Sequence, residues 1–555
     1  MGSAVPKYRS EIFEIIEKYS EASYEYDPIS ATYAGKKEYN GEWNDYTYQE
    51  VDPFLRVAKA TRNKLIRAEA LDEYDEIARK VILADLNRYI NDKDLLFGYT
   101  YWGGNFHPLE DIISVFYVMP KETKKDILNI TKRMEGIPKI TVEWISSLKD
   151  VAKLGEVNAR KRVEWAVESI LNHASGTLTE FAESVDPDNK RLMRAAKEAE
   201  VAFEQTAAWL SHCYMPMCSE DWRMGEERYI NSVEGYTGLW INPREVYEFG
   251  LSEMERINNE MWEIALDLLP DATSLVEVAD WLNSNEDYTI QGPSKLKAYL
   301  EELTKSAIKD LNGTYFTIPV AMKNCKVTLD TTTIDESPYY LSPSDDFSRP
   351  GSTVYPTLGR ETFTLWENIS TWYHESVPGH HMQIAYSVLN KETLTTYQRG
   401  DGWNSGYGEG WALYSETLMN ELGYFRDPGH KMGYLMCQAM RAGRLVVDIG
   451  LHLGYEVPDE IKARDGQTWT YPVAVKYMVE RALLKKSYAE SEVKRYICWG
   501  GQAVSYKLGE KVWMQAREDA KKRHGAKFNI KKFHMYALNL GPMGLTMLKE
   551  ELDKF

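Results

Sequence analysis

The sequence predicts a mainly α protein: a large helical body with a substrate cleft and one small β-sheet just ahead of its most reactive segment. Stretches at 10–25, 51–92, 151–171, 190–213, 244–268 and 295–312 place apolar residues three and four apart with charges between them, the pattern of helices that bury one face. Between 313 and 356 the character changes. Residues 314–320 and 326–334 are rich in β-branched and aromatic side chains, and Ser, Pro and Asp then punctuate a loop, as short strands and their turns require. No internal repeat or low-complexity tract interrupts this order.

At 555 residues the chain exceeds an ordinary domain. A boundary near 310 would separate a mostly helical lobe, 1–310, from a lobe, 311–555, that holds the sheet and the reactive helices; one continuous body around a cleft is the other reading. The hydrophobic fraction of 43% supports a sizeable core. A formal charge of −18 argues against nucleic acid as a partner, because phosphate binding needs clustered Lys and Arg. Cys213, Cys218, Cys325, Cys437 and Cys498 are odd in number, widely spaced and without a CxxC pair, so neither a disulfide framework nor a thiolate zinc cluster is expected. No run approaches the length of a membrane span and the first residues hold no apolar signal core, which reads as a cytoplasmic protein, or as a secreted mature form if a leader was removed.

The chemistry concentrates in Trp372-Tyr-His-Glu-Ser-Val-Pro-Gly-His-His-Met-Gln383. Two imidazoles beside a carboxylate provide neutral nitrogen ligands for zinc and a base, Glu375, that can take a proton from water. The spacing is not the usual His-Glu-x-x-His. In a regular helix His374 and His380 would point about 120° apart and stand about 9 Å apart along the axis, and His381 would share the face of His374 but lie about 10.5 Å along. Neither pair can chelate from an unbroken helix. Pro378 and Gly379 supply the freedom, proline by removing a backbone donor and glycine by accepting dihedrals closed to other residues. A bulge there would bring His380 to the place of an i+4 ligand. His381 needs a larger distortion and is expected to face the substrate or support a ligand.

Glu409, in Gly406-Tyr-Gly-Glu-Gly-Trp-Ala-Leu-Tyr-Ser-Glu416, is the candidate third ligand. Carboxylate oxygen is a normal partner of two histidines on zinc, and the flanking glycines allow close approach of another helix. Glu416, seven residues on, lies on the same helical face but about 10 Å away, which suits it to accept the free N–H of a ligand histidine.

Around this core stand several candidate substrate contacts. Arg349 follows the sheet and is either a substrate contact or a solvated loop residue. Arg441, Arg444, Asp448 and His452 step by three, four and four along one helical face, which is either a buried ion-pair face or a wall of the site. Tyr506 and Lys507 offer a hydroxyl and an ammonium for the oxyanion of a tetrahedral intermediate, Tyr506 being preferred. Arg349, Arg441, Arg444 and Lys507 also suit a terminal carboxylate, so cutting near a free C-terminus is expected. No Gly-x-Ser-x-Gly elbow, phosphate loop or dinucleotide fingerprint competes.

His-Glu-Ser-Val-Pro-Gly-His-His, Gly-Glu-Gly-Trp-Ala-Leu-Tyr-Ser-Glu, Arg441-Ala-Gly-Arg-Leu-Val-Val-Asp448 and Gly501-Gln-Ala-Val-Ser-Tyr-Lys507 together resemble the bacterial family catalogued as domain of unknown function 885. The likeness covers the half of the chain from Arg349 onward, and that family in turn resembles helical zinc metallopeptidases of the angiotensin-converting-enzyme and thermostable-carboxypeptidase type. The resemblance implies His374 and His380 as zinc ligands, Glu409 as the third and Glu375 as the base. One departure stands at Gly500, where the pattern has proline, and it loosens the turn before Tyr506. The function expected is zinc-dependent hydrolysis of short peptides by a carboxypeptidase or dipeptidase. The alternatives are a zinc amidohydrolase of a metabolite amide and a degenerate, peptide-binding relative.

Overall fold

Most of the predicted helices form where the apolar spacing puts them. The stretch at 10–25 becomes Glu11–Ser23, capped by the Ser10 hydroxyl, which accepts from the Phe13 N–H. Those at 244–268 and 295–312 become Pro243–Leu268 and Pro293–Leu311, each with proline in its first turn, where a missing N–H leaves no bond unmade. The stretch at 51–92 instead divides into Leu55–Arg67 and Glu73–Asn91, because the Asp72 carboxylate accepts from the Tyr74 and Asp75 N–H groups and starts a new helix. That at 151–171 divides at a turn where Gly155 has φ +85°, between Lys124–Lys153 and Arg160–Ala174. The computed structural model describes residues 8–50, 52–91, 96–330, 337–463 and 466–555, so the expected helix ends at 51 and 92 lie outside it. Its architecture is mainly α.

The chain forms two units. The first runs to Arg223 and includes Ile497–Trp499. In it, Lys124–Lys153, Arg160–Ala174 and Lys190–Trp209 pack around a core that includes Trp102, Phe116, Met134, Trp144 and Phe203. The second runs from Met224 to Tyr496 and from Gly500 to Phe555. Its central helix, Pro428–Leu453, is buried continuously from Met432 to His452 and lies along Pro243–Leu268. The expected boundary near 310 therefore falls inside the second unit. The reason is visible at Gly250, where an added Cβ would stand 2.9 Å from side chains of both Leu445 and Val446.

Ser405–Glu421 pairs with Ser505–His524 in the same unit. Their approach needs glycine on both sides: a Cβ at Gly410 would lie 2.4 Å from the Gly509 Cα.

A small sheet precedes the reactive helices, as expected. Its strands β2 (Lys326–Asp330), β3 (Tyr339–Leu341) and β4 (Ser352–Pro356) take the order β2-β4-β3, with Thr328 and Tyr339 both paired to Val354, parallel and antiparallel respectively. β4 is buried throughout. A separate antiparallel pair joins β1 (Thr289–Gln291) to β5 (Thr362–Thr364). The expected strand at 314–320 is not one. Phe316 turns into the core to stack on His534 at 4.6 Å, and Pro319, which cannot donate to a ladder, leads into the short helix Val320–Lys323. Residues 331–334 of the other expected strand lie outside the described residues.

Candidate metal centre

The unusual spacing of the histidines is resolved by a break. Spacing suggested a bulge within one helix; instead Asn368–Glu375 stops and His380–Leu389 begins after four connecting residues. Only glycine fits at the end of that connection, since a Cβ on Gly379 would lie 1.8 Å from the His374 carbonyl oxygen and 2.5 Å from that of Tyr373. The connection is also anchored from the helix that carries Glu409. The Pro378 carbonyl accepts from Trp411 Nε1 at 2.9 Å and from Ser415 Oγ at 3.2 Å. On its other side Trp372 Nε1 donates to Thr304 Oγ1 at 3.0 Å.

This arrangement brings His374, His380 and Glu409 together, with one ligand-type atom from each lying within 4.8 Å of the others. Glu409 Oε2 stands 3.2 Å from His374 Nε2 and 3.4 Å from His380 Nε2. Two ligands bound tetrahedrally at about 2.0–2.1 Å are separated by roughly 3.3 Å, so these edges have the size of a zinc polyhedron. The donor set, two imidazole nitrogens and one carboxylate oxygen, is also the chemistry of a catalytic zinc site with a position left open. The residues fit that metal.

Glu416 supports the cluster from behind, as its spacing implied. Its Oε1 is 2.8 Å from His374 Nδ1, and its Oε2 accepts from Ser370 Oγ at 2.5 Å. A proton on Nδ1 donated to Glu416 leaves His374 Nε2 free to act as a ligand. Ser370 escaped sequence analysis, although it lies four residues before His374 on one helical face. His380 differs: among the described residues its buried Nδ1 has no hydrogen-bond partner.

Electrostatics separate the carboxylates. Burial would push Glu409 up, but His380 and His374 beside it hold it well below the usual range. Glu375 moves the other way; burial, opposed by His380 and assisted by Glu409, pushes it up to about 8. A carboxyl group of raised pKa beside imidazoles that could hold a metal is suited to act as a general base. Tyr506 lies over the other side of His374, its ring nearly parallel at 19° and 6.2 Å between centroids. Burial and the nearby Glu409 raise its hydroxyl pKa, so it stays a donor.

Other expected contacts are placed elsewhere. His381 does not face the cluster; its Nδ1 meets the Tyr340 hydroxyl at 2.9 Å and its Nε2 the Met322 carbonyl at 2.7 Å. Both ring nitrogens are thereby used, and burial lowers its pKa to about 4, so it is a neutral tie from the helix His380–Leu389 to the sheet. Lys507 is buried and closed by Glu510 at 2.6 Å, Gln438 at 2.7 Å and Glu253 at 3.1 Å, which removes it from any substrate. Arg349 is exposed on its loop and donates to the Ser342 carbonyl at 2.7 Å. Arg444 pairs with Glu492 at 2.7 Å, the ion-pair reading of that face. Arg441 is paired more loosely: its Nη2 is 3.8 Å from Glu416 Oε1, and among the described residues its buried Nε, like Arg444 Nη1, has no hydrogen-bond partner. The turn at Gly500 is not loose, because Ser232 Oγ donates to the Gly500 carbonyl at 2.8 Å and the Gly501 N–H, at φ +87°, to Asp448 Oδ2 at 2.9 Å.

Comparison with known proteins identifies the fold. A candidate lipoprotein from Colwellia psychrerythraea superposes with a TM-score of 0.83 at 22% identity, over 98% of each chain. A candidate lipoprotein of unknown function from Shewanella oneidensis gives a TM-score of 0.71 at 18% identity, over 98% of this chain and 99% of its own. No curated protein matches. The profile of the bacterial proteins of unknown function DUF885 matches residues 28–552, and the chain belongs to that family.

Proposed function

We propose that this member of the DUF885 family is a zinc-dependent hydrolase of peptide bonds that acts on short peptides with a free C-terminus, as a carboxypeptidase or dipeptidase. The observation that carries the reading is the convergence of His374 Nε2, His380 Nε2 and Glu409 Oε2 with Glu375 beside them. Zinc held there supplies a Lewis acid for the scissile carbonyl and lowers the pKa of a water. The Glu375 carboxylate takes the proton of the attacking water and returns it to the leaving amine. The Tyr506 hydroxyl donates to the oxygen on which charge develops. Arg441, whose Nη2 is 3.8 Å from the Glu416 carboxylate behind His374, keeps a buried donor unmet among the described residues, and a guanidinium pairs bidentately with a substrate carboxylate.

For location, the description of both solved neighbours as lipoproteins supports a membrane-surface or extracytoplasmic setting over the cytoplasmic one. Among the described residues no helix is long and apolar enough to cross a membrane. Matched short peptides with free and amidated C-termini test the specificity. Amidation should lower kcat/KM about tenfold or more by removing one charge-assisted pair. Equal cleavage of both forms would refute the C-terminal reading, and turnover of acyl amides with none of peptides would move the substrate to metabolite amides.

A further inference from the structure

Trp403 is 44% exposed, yet it is held firmly against the candidate centre. Its ring centroid lies 6.0 Å from that of His380, tilted by 58°. Its six-membered ring rests on Gly408, the residue before Glu409, so closely that a Cβ there would stand 1.9 Å from Trp403 Cη2. The loop that presents it is closed on both sides. The Gly402 N–H donates to the Tyr397 carbonyl at 2.6 Å, and Asn404 caps the next helix by accepting from the Tyr407 N–H at 3.1 Å. An indole backed by a ligand imidazole and a glycine, with much of its surface open, offers a rigid apolar face whose ordering has already been met by the fold.

We infer that Trp403 forms the wall of a subsite for an aromatic or bulky aliphatic side chain next to the scissile amide. The identity of that occupant as a peptide side chain rests on the proposed peptidase reading. The location of the wall rests on the ring contacts with His380 and Gly408. Aromatic rings pair best offset or edge-to-face, and a substrate ring reaching the open side of Trp403 would be met in that way. The competing role is a shield that keeps water from His380, since the apolar shell of a metal site governs solvent access. A shield acts on every substrate equally, whereas a wall discriminates between side chains.

Calorimetry on zinc-loaded Glu375→Gln protein, in which turnover is suppressed, separates the two. Two short peptides identical except for Phe or Ala beside the target amide serve as probes. With Trp403 present the Phe peptide should bind about tenfold tighter than the Ala peptide, as expected for an aromatic pair plus its buried area. In Trp403→Ala that ratio should fall to within about threefold, and Trp403→Phe should keep most of it. An unchanged ratio in Trp403→Ala, an equal loss for both peptides, no preference in the parent, or no binding of either peptide would each overturn the subsite. Turnover by protein retaining Glu375 is scored separately: no hydrolysis together with a Trp403-dependent Phe preference would sink the hydrolase reading and leave the subsite standing.

Discussion

Two clusters of buried charge in the second unit close in opposite ways. Around Glu492 each of three donors closes on the carboxylate within a hydrogen bond: Arg444 Nη2 at 2.7 Å, Arg495 Nε at 3.0 Å, and the Tyr496 hydroxyl at 2.7 Å. Around Glu409 two imidazole nitrogens face one carboxylate oxygen at 3.2 and 3.4 Å, with the raised carboxyl of Glu375 close by. The first is an ion-pair network in which two guanidinium groups and a hydroxyl donate protons to one carboxylate. The second gathers unlike donors on one point, which is how ligands of a metal are arranged. Burial of charge therefore does not mark a site by itself; the direction in which the donors point does.

The comparison can be broken from either side. Glu492→Gln would leave Arg444 and Arg495 facing each other without a carboxylate, lowering stability by about 3–5 kcal/mol while the folded protein keeps the zinc proposed for it. Thermal unfolding with elemental analysis checks this, and loss of zinc from a folded variant would show the clusters to be one system. A second test uses Asp448, which is buried and, despite bonds from Tyr229 and Gly501, is pushed up to about 7 from 3.8. Native protein then holds a proton that the unfolded chain has released between about pH 4 and 7, so stability falls as pH rises through that window. Asp448→Asn removes this dependence, and its stability relative to the parent should improve between pH 5 and 8 by about 3 kcal/mol. A Tm difference that does not change with pH would contradict the assignment. Glu416→Gln sharpens the metal side: losing the carboxylate behind His374 should weaken zinc about 10–100-fold with little change in fold, and an unaltered zinc affinity would reduce Glu416 to packing.

Much of this site was legible because the chemistry is local. His374, Glu375 and His380 fall in one short segment, Glu409 between glycines, and Glu416 one heptad later, so residue type and spacing pointed to the roles that the geometry accommodates. What spacing could not reveal was direction. His381 is adjacent to His380 yet bonds to Tyr340 and Met322, and Lys507 is adjacent to Tyr506 yet closes on Glu253 and Glu510. Neighbours in a helix point about 100° apart, and which side faces the site depends on distant segments. Trp403 was hidden for a related reason, since its seat is made by the absence of a side chain at Gly408. The boundary at 223 rather than 310 reflects long-range packing of Pro243–Leu268 on Pro428–Leu453, which leaves no local signal.

The central claim is that His374, His380 and Glu409 hold zinc and that Glu375 works beside it without being a ligand. Elemental analysis of purified protein, paired with turnover of a short peptide, tests it most directly. The account predicts about one zinc per chain, loss of most of it in His374→Ala and Glu409→Ala, and retention in Glu375→Gln with turnover reduced by at least about a hundredfold. Full zinc occupancy in His374→Ala and Glu409→Ala, or an active Glu375→Gln protein, would contradict it.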